Sequence, residues 1–216
     1  NGVIHVIDTV ILPPSKNVVE IAAGDNQFST LVAAVQAAGL AETLSGKGPF
    51  TIFAPTNAAF NKLGKATIDA LLADPEKLKS ILTYHVLQGA AYSGDAAKLA
   101  VAKTVNGAPV KFGSANGRLQ INGANITSAN LLGTNGVIHV IDTVILPPDK
   151  TVVEIAAADR QFSTLVAAVQ AAGLVETLSG KGPFTVFAPT DAAFAALGKD
   201  TIDALLADPE KLKAIL

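Results

Sequence analysis

Three histidines are the side chains of this 216-residue chain best suited to proton transfer or metal binding. His5 and His139 occupy the same position in two identical segments, residues 1–14 and 135–148, so they represent one kind of site. Asp142 follows His139 by three positions, a spacing that points two side chains of a strand to opposite faces. We therefore interpret His139 as a hydrogen-bonded structural histidine and not as half of a catalytic pair.

The sequence also lacks the motifs that usually accompany catalysis. It contains no Cys, no G-x-S-x-G elbow, no H-E-x-x-H pair and no glycine-rich phosphate loop. A nucleophilic enzyme needs a nucleophile held by a base, and a zinc or calcium site needs clustered histidines or carboxylates. We expect no catalytic residue, no metal and no cofactor.

A long internal repeat organises the chain and places these residues. Residues 1–82 align with residues 135–216 without a gap, and 71 of the 82 positions are identical. A period of 134 residues is the size of a domain and much longer than the repeat of a solenoid. The chain is therefore expected to contain successive copies of one folded unit.

The first part of the repeat unit is predicted to be mainly helical, and residues 49–55 are predicted to form a strand that Pro55 ends. Gly39 is expected to end a helix in a left-handed conformation, Thr56 to cap another, and Pro75 to occupy the first turn of a third. The predicted helices are residues 18–23, 27–38, 57–63 and 75–84.

The second part of the unit alternates short apolar runs with Asn-Gly pairs, which favour hairpin turns and a mostly antiparallel sheet. The pairs begin at Asn106, Asn116 and Asn122. The predicted strands are residues 104–106, 109–112, 118–121 and 125–128. Residues 3–12, rich in Val and Ile, are predicted to be a buried strand, as is their repeat near residue 137.

Three motifs resemble those of the fasciclin-like (FAS1) domain family. TIFAPTNAAF at residues 51–60, repeated as TVFAPTDAAF at 185–194, resembles the first conserved block of the family. Tyr84-His85-Val86 resembles its Tyr-His motif, and NGVIHVIDTVILP resembles its second conserved block. The resemblance implies an α+β fold, a FAS1 wedge in which a two-sheet β-sandwich packs against a bundle of short helices, repeated in tandem.

The resemblance also implies domain boundaries. Residues 1–14 are the closing strand of a preceding FAS1 repeat, residues 15–148 a complete domain, and residues 149–216 the N-terminal half of the next repeat. A half domain exposes apolar faces and strand edges. We therefore predict that the chain belongs to a longer array, or that copies complete each other head to tail and form a filament. The candidate assembly residues are Val3, Ile4, His5, Val6 and Ile7.

The function implied by the family is adhesion or assembly outside the cell, at a cell surface or in a matrix. Tyr84 and His85 are the candidate partner-binding residues, because the Tyr-His region of the family is linked to integrin-type adhesion; the alternative is that both close the core. The expected partners are other copies, neighbouring FAS1 repeats, or a cell-surface or matrix protein. A second hypothesis, also from the resemblance, is a carrier of a small apolar ligand such as a lipid or carotenoid.

Composition excludes two further classes of function. The net charge is −2, so a nucleic-acid-binding surface is not expected. Apolar runs such as residues 137–146 are too short for the roughly 20 residues that cross a bilayer, so no transmembrane segment is expected here. Asn125-Ile126-Thr127 is a glycosylation sequon, which has meaning only in a eukaryotic secretory pathway.

Overall fold

The computed structural model describes residues 2–180 and 182–216. The chain divides into two compact units, residues 2–147 and residues 148–216, each of which is described by itself. No helix within these described ranges is long and apolar enough to span a bilayer.

The first unit begins with short helices whose caps are encoded locally. Asn17 and Glu20 form a capping box at the first helix, and the side chains of Thr56 and Asp74 accept hydrogen bonds from the first turns of two others. Gly39 has φ +66°, as the sequence predicted. The helices are α1 Val18–Ala23, α2 Ser29–Ala37, α3 Ala41–Ser45, α4 Asn57–Asn61, α5 Lys65–Leu72, α6 Pro75–Tyr84 and α7 Ser93–Ala96, with a 3₁₀ turn at Asn26–Phe28.

The strands of the first unit follow one continuous hydrogen-bonded order, β2-β1-β7-β6-β5-β4-β3. They are β1 Phe50–Pro55, β2 Val86–Gln88, β3 Val101–Lys103, β4 Pro109–Ala115, β5 Arg118–Ile121, β6 Ala124–Gly133 and β7 Gly136–Ile141. The β1–β7 pair is parallel and the other described pairs are antiparallel. The predicted mostly antiparallel sheet is therefore confirmed.

The strand order folds over on itself, and β6 is where it bends. The register of β6 against β7 shifts near Ser128, and Asn130 has φ +61°. Leu87 of β2 forms a bridge with Thr104, which follows β3, so the two ends of the order meet. The two halves enclose a core and pack against the helices, which confirms the predicted α+β class.

Two apolar cores lie on opposite faces of β1 and β7. The helix-side core consists of Val18, Ala22, Phe28, Leu31, Ala34, Val35, Leu40, Leu44, Phe50, Ile52, Ala54, Ala59, Phe60, Leu71, Leu78, Ile81, Leu82, Val86, Ile138, Val140 and Val144. The sandwich-side core consists of Phe53, Tyr84, Leu87, Val110, Ile121, Ala124, Ile126, Ile141 and Ile145. Alternate residues of β1 and β7 serve the two cores, as the period of a strand requires.

Two of the predicted Asn-Gly hairpin turns are correct, and one predicted strand next to a turn is wrong. Asn116-Gly117 and Asn122-Gly123 have positive φ at both residues, as expected for tight hairpin turns. The predicted strand at residues 104–106 is wrong: the strand is Val101–Lys103, and Thr104 begins a turn in which its hydroxyl donates to the Ala108 carbonyl at 2.7 Å.

The second unit repeats the first six helices of the first unit in the same order. They are α8 Val152–Ala158, α9 Ser163–Ala171, α10 Val175–Ser179, α11 Asp191–Ala195, α12 Lys199–Leu206 and α13 Pro209–Ile215, with a 3₁₀ turn at Arg160–Phe162. Residues 184–189, which repeat β1, form no strand. Strands β2 to β7 follow residue 82 in the first unit, so residues 149–216 contain no repeat of any of them.

The predicted strand at residues 3–12 is likewise not formed. Residues 2–12 have no strand partner within the part of the chain that the structure describes, and their apolar side chains face solvent. A strand needs a neighbour to satisfy its backbone groups. The same letters form β7 at 136–141, where β1 and β6 supply those bonds.

Candidate functional site

Tyr84 ends α6 and lies in the sandwich-side core. Its hydroxyl donates to the Pro109 carbonyl at 2.8 Å and accepts from Asn122 Nδ2 at 2.7 Å. Burial raises the pKa of the Tyr84 hydroxyl, although the hydrogen bond from Asn122 opposes this. The phenol thus joins the end of α6 to the hairpin that carries β4 and β5.

His85 follows Tyr84 and is only 2% exposed. Its Nδ1 lies 2.8 Å from the Ile81 carbonyl, and its Nε2 lies 3.2 Å from the backbone nitrogen of Ile145. A carbonyl can only accept and an amide only donate, so His85 is neutral with its proton on Nδ1. Burial lowers the pKa of His85 to about 4, against the smaller opposing effect of the bond to Ile81.

Both predicted partner-binding side chains are therefore enclosed by their own domain. Each is bonded to backbone groups distant in sequence, which supports a structural role. A folded partner could contact these two side chains only if the end of α6 opened, and their role in partner binding stays a prediction.

His139 lies on β7 and stacks on Phe53 of β1, with ring centroids 5.6 Å apart. Its Nε2 lies 2.8 Å from the Ala91 carbonyl, and the Asn130 amide donates to Nδ1 at 3.4 Å. Burial lowers the pKa of His139, against the effect of the Ala91 bond. This histidine does not hydrogen-bond Asp142, in agreement with its interpretation as a structural residue.

Asp142 is instead bonded to Asn125. Its two carboxylate oxygens accept from the backbone and side-chain nitrogens of Asn125 at 2.9 and 2.8 Å. Burial opposes ionisation, but the bonds from Asn125 and Thr143 and the charge of Lys62 together outweigh it, so the pKa of Asp142 lies below its usual value. Gln120 donates to the remaining Asn125 oxygen at 2.8 Å, so the amide of the sequon is occupied within the fold.

The described residues contain no group of three or more His, Asp or Glu side chains close enough to hold a metal ion. One apolar cavity of about 90 Å³ lies between the helices and the sheet of the first unit, lined by residues such as Val18, Val35, Leu82 and Ile138. Sites for drug-sized ligands occupy roughly 300–1,000 Å³. A lipid or carotenoid would need α1 or α2 to move outward.

The assembly candidates Val3, Ile4, His5, Val6 and Ile7 are all exposed, up to 95% for Val6. Their repeats on β7, residues 137–141, are buried to 3% or less. The same five residues thus line a core in one copy and face water in the other. Exposed apolar stretches are typical of interaction surfaces, and the role of these five residues in assembly stays a prediction.

Residues 184–189 form a second exposed apolar segment, which sequence reasoning did not select for assembly. Phe187 is 92% exposed, whereas its repeat Phe53 is fully buried. Phe184, Val186 and Phe187 line an apolar groove of about 610 Å³ with helices of the second unit. The parallel pairing of β1 with β7 shows that residues 184–189, the repeat of β1, lack their partner strand. Such a pairing cannot be predicted from the sequence of one strand.

The fasciclin domain model matches residues 26–147 and 160–216 of the chain. The chain belongs to the fasciclin domain family. The two matched segments lie within the two compact units, one in each.

Several relatives share this domain. The chain is 39% identical over 206 residues to the pig transforming growth factor-beta-induced protein ig-h3, covering 94% of this chain and 30% of that protein. It is 46% identical over 150 residues to Protein sll1483 of Synechocystis, covering 66% and 80%. It is 40% identical over 136 residues to the cell surface glycolipoprotein MPB83 of Mycobacterium bovis, covering 60% of each. The chain thus spans less than a third of the ig-h3 protein.

Proposed function

We propose that the chain is an adhesion and assembly module of the cell surface or extracellular matrix, and that its copies associate head to tail into a filament. Its fasciclin domains and its similarity to a cell surface glycolipoprotein support this location. The observation that carries the assembly proposal is the exposure of residues 3–7, whose identical repeat is a buried strand.

Head-to-tail association follows from the arrangement of the two exposed apolar segments. Residues 3–7 precede the complete domain, and residues 184–189 lie in the unit that follows it. The two segments are different surfaces, so a contact between them is heterologous. When two copies bind in this way, one copy still has a free segment 3–7 and the other a free segment 184–189, and each can bind a further copy. Such contacts give open filaments, or rings where the rotation closes.

Repetition also suits adhesion. Many identical domains along one filament add weak contacts to a surface into a much stronger total attachment. The partner is a cell-surface or matrix protein, or another fasciclin repeat. Tyr84 and His85 remain the candidate residues for that partner, through an opening of the end of α6.

Sedimentation velocity over a range of concentrations, with negative-stain electron microscopy, tests the assembly proposal. The matched control is the same chain without residues 1–14, which removes the exposed segment and leaves the residues of both cores in place. We expect the whole chain to form concentration-dependent oligomers and linear or ring-shaped particles, and the shortened chain to stay monomeric. A whole chain that is monomeric at all concentrations contradicts the proposal.

A further inference from the structure

We infer that residues 2–7 of one copy join a second copy as a strand parallel to residues 184–189, with Gly2 beside Phe184 and Ile7 beside Pro189. The inference rests on the proposed head-to-tail association and specifies its contact. It identifies residues 184–189 as the acceptor segment, and a second copy of this chain as its occupant.

The register comes from the complete domain. There β1 and β7 pair in parallel, from Phe50 beside Gly136 to Pro55 beside Ile141. Residues 2–7 repeat β7 letter for letter, and residues 184–189 repeat β1 with Ile52 replaced by Val186. Docking of the two exposed segments in the same register recreates a pairing that this sequence already forms.

The docked strand also completes a core. Of the 21 members of the helix-side core, 17 lie at residues 18–82 and have a repeat within residues 149–216. Ile138, Val140 and Val144 lie beyond them, and their repeats are Ile4, Val6 and Val10. Val86 is the one member of this core that neither segment supplies. The apolar groove beside Phe184 is the space that these three side chains would enter.

The sandwich-side core is not restored in this way. Of its nine members, Phe53 and Ile141 have repeats in the two segments and Ile145 has its repeat at Ile11, whereas the others lie between residues 84 and 126. The binding contribution therefore comes from the helix-facing side chains Ile4 and Val6 and from Val10.

A glycine makes the register testable. The backbones of β1 and β7 approach so closely at Gly136 that an added Cβ would overlap the carbonyl oxygen of Phe50. Gly2, its repeat, has no atom within 4 Å of such a Cβ. A methyl group at Gly2 is therefore harmless in the separate chain and blocks the inferred contact with Phe184.

The first test is the substitution Gly2→Ala, read by sedimentation equilibrium. We expect the association constant to fall by about tenfold or more, since overpacking a close contact is costly. Nonspecific association of apolar surfaces would be unchanged or slightly strengthened by the added methyl group. An association constant equal to that of the unmodified chain overturns the inference.

The second test uses cysteines, which the natural sequence lacks. The variant with Val3→Cys and Thr185→Cys places one thiol on each of the two strands at positions that are partners in the inferred register. The variant with Val3→Cys and Pro189→Cys shifts the second thiol by four residues, roughly 13 Å along the strand. Thr51→Cys with Val137→Cys is the matched pair inside the complete domain, where Thr51 and Val137 are partners. We expect that control to form an intrachain disulfide on mild oxidation.

For the inferred pair we expect disulfide-linked dimers and longer ladders that increase with concentration, and few for the shifted pair. Equal cross-linking of both pairs overturns the register. A disulfide confined to single chains overturns the assignment of a second copy as the occupant. If the unmodified chain associates and either of these results is found, the head-to-tail proposal survives and the strand contact fails; if the chain never associates, both fail.

Discussion

Ile4 and Ile138 occupy the same position in two identical segments. Replacing each of them by alanine therefore tests assembly and folding separately. Ile138 is fully buried in the helix-side core, whereas Ile4 is 91% exposed. Replacing a buried Ile by Ala costs about 2–5 kcal/mol, and a substitution at an exposed position changes stability by about 0.5 kcal/mol or less. Ile138→Ala is therefore expected to destabilise the first unit, and Ile4→Ala to leave it unchanged.

Association is expected to respond in the opposite way. In the inferred contact Ile4 takes the position that Ile138 has in the first unit. Taking the lower value of about 2 kcal/mol, because the docked core lacks the repeat of Val86, Ile4→Ala should raise the dissociation constant about 30-fold.

The chain provides its own probe for the folding measurement. It has no Trp, and its two tyrosines, Tyr84 and Tyr92, both lie in the first unit. Tyrosine fluorescence in urea, at a concentration below association, therefore reports the unfolding of that unit. Sedimentation equilibrium gives the dissociation constant of each variant. The inferred contact is refuted if Ile4→Ala destabilises the first unit as much as Ile138→Ala does, or if it leaves the dissociation constant unchanged.

Three predictions concern the polar groups of the first unit. His85 is neutral in the folded chain, with a pKa of about 4, so between pH 6.5 and 4 only the unfolded chain binds a proton at this residue. The free energy of unfolding should therefore fall by roughly 3 kcal/mol in total as the pH drops from about 6.5 to 4. Urea titrations at several pH values will measure this. Tyr84→Phe removes the hydrogen bonds of its hydroxyl with Pro109 and Asn122. Because both partners are exposed and can bond to water instead, the change should cost about 0.5–1.5 kcal/mol in the same titration. Asp142→Ala removes the acceptor of both Asn125 nitrogens and should cost about 1–3 kcal/mol near neutral pH. Because the pKa of Asp142 is lowered in the folded chain, the stability difference between this variant and the unmodified chain should shrink as the pH falls through that pKa.

Much of the fold could be predicted because its signals are local. The caps at Thr56 and Asp74, the left-handed Gly39 and two Asn-Gly hairpins depend on neighbours a few residues away, and the structure has them as predicted. The short α3 and α5 helices and the strand β2 were not predicted, since they depend on packing more than on pattern.

The strands show why the rest could not be predicted. FTIFAP at residues 50–55 forms β1, whereas FTVFAP at residues 184–189 forms no strand, although the two differ by one methylene group. The difference is the neighbour: β7 lies beside the first segment, and within the described residues no strand lies beside the second. A sequence pattern reports that a segment can form a strand, but the partner decides whether it does.

Among the candidate site residues, the structural role of His139 could be predicted from the sequence, whereas the burial of Tyr84 and His85 could not. The interpretation of His139 as structural followed from strand periodicity, and its bonds to Ala91 and Asn130 agree with it. The burial of Tyr84 and His85 depends on Pro109, Asn122 and Ile145, which lie 25 to 60 residues away in sequence. No local pattern around residue 84 contains that information.

Amide hydrogen exchange measured by NMR, in dilute and in associated samples, reports whether residues 2–7 of one copy pair with residues 184–189 of another. In the first unit the Thr56 amide donates to the Ile141 carbonyl on β7, and the Phe53 amide donates to the His85 carbonyl on the other side of β1. Thr190 and Phe187 are their repeats. Residues 2–7 supply the repeat of Ile141, but neither exposed segment supplies that of His85.

Association is therefore expected to slow exchange of the Thr190 amide and to leave the Phe187 amide fast. Association that leaves Thr190 unchanged, or that protects both amides equally, would contradict a parallel strand donated by residues 2–7.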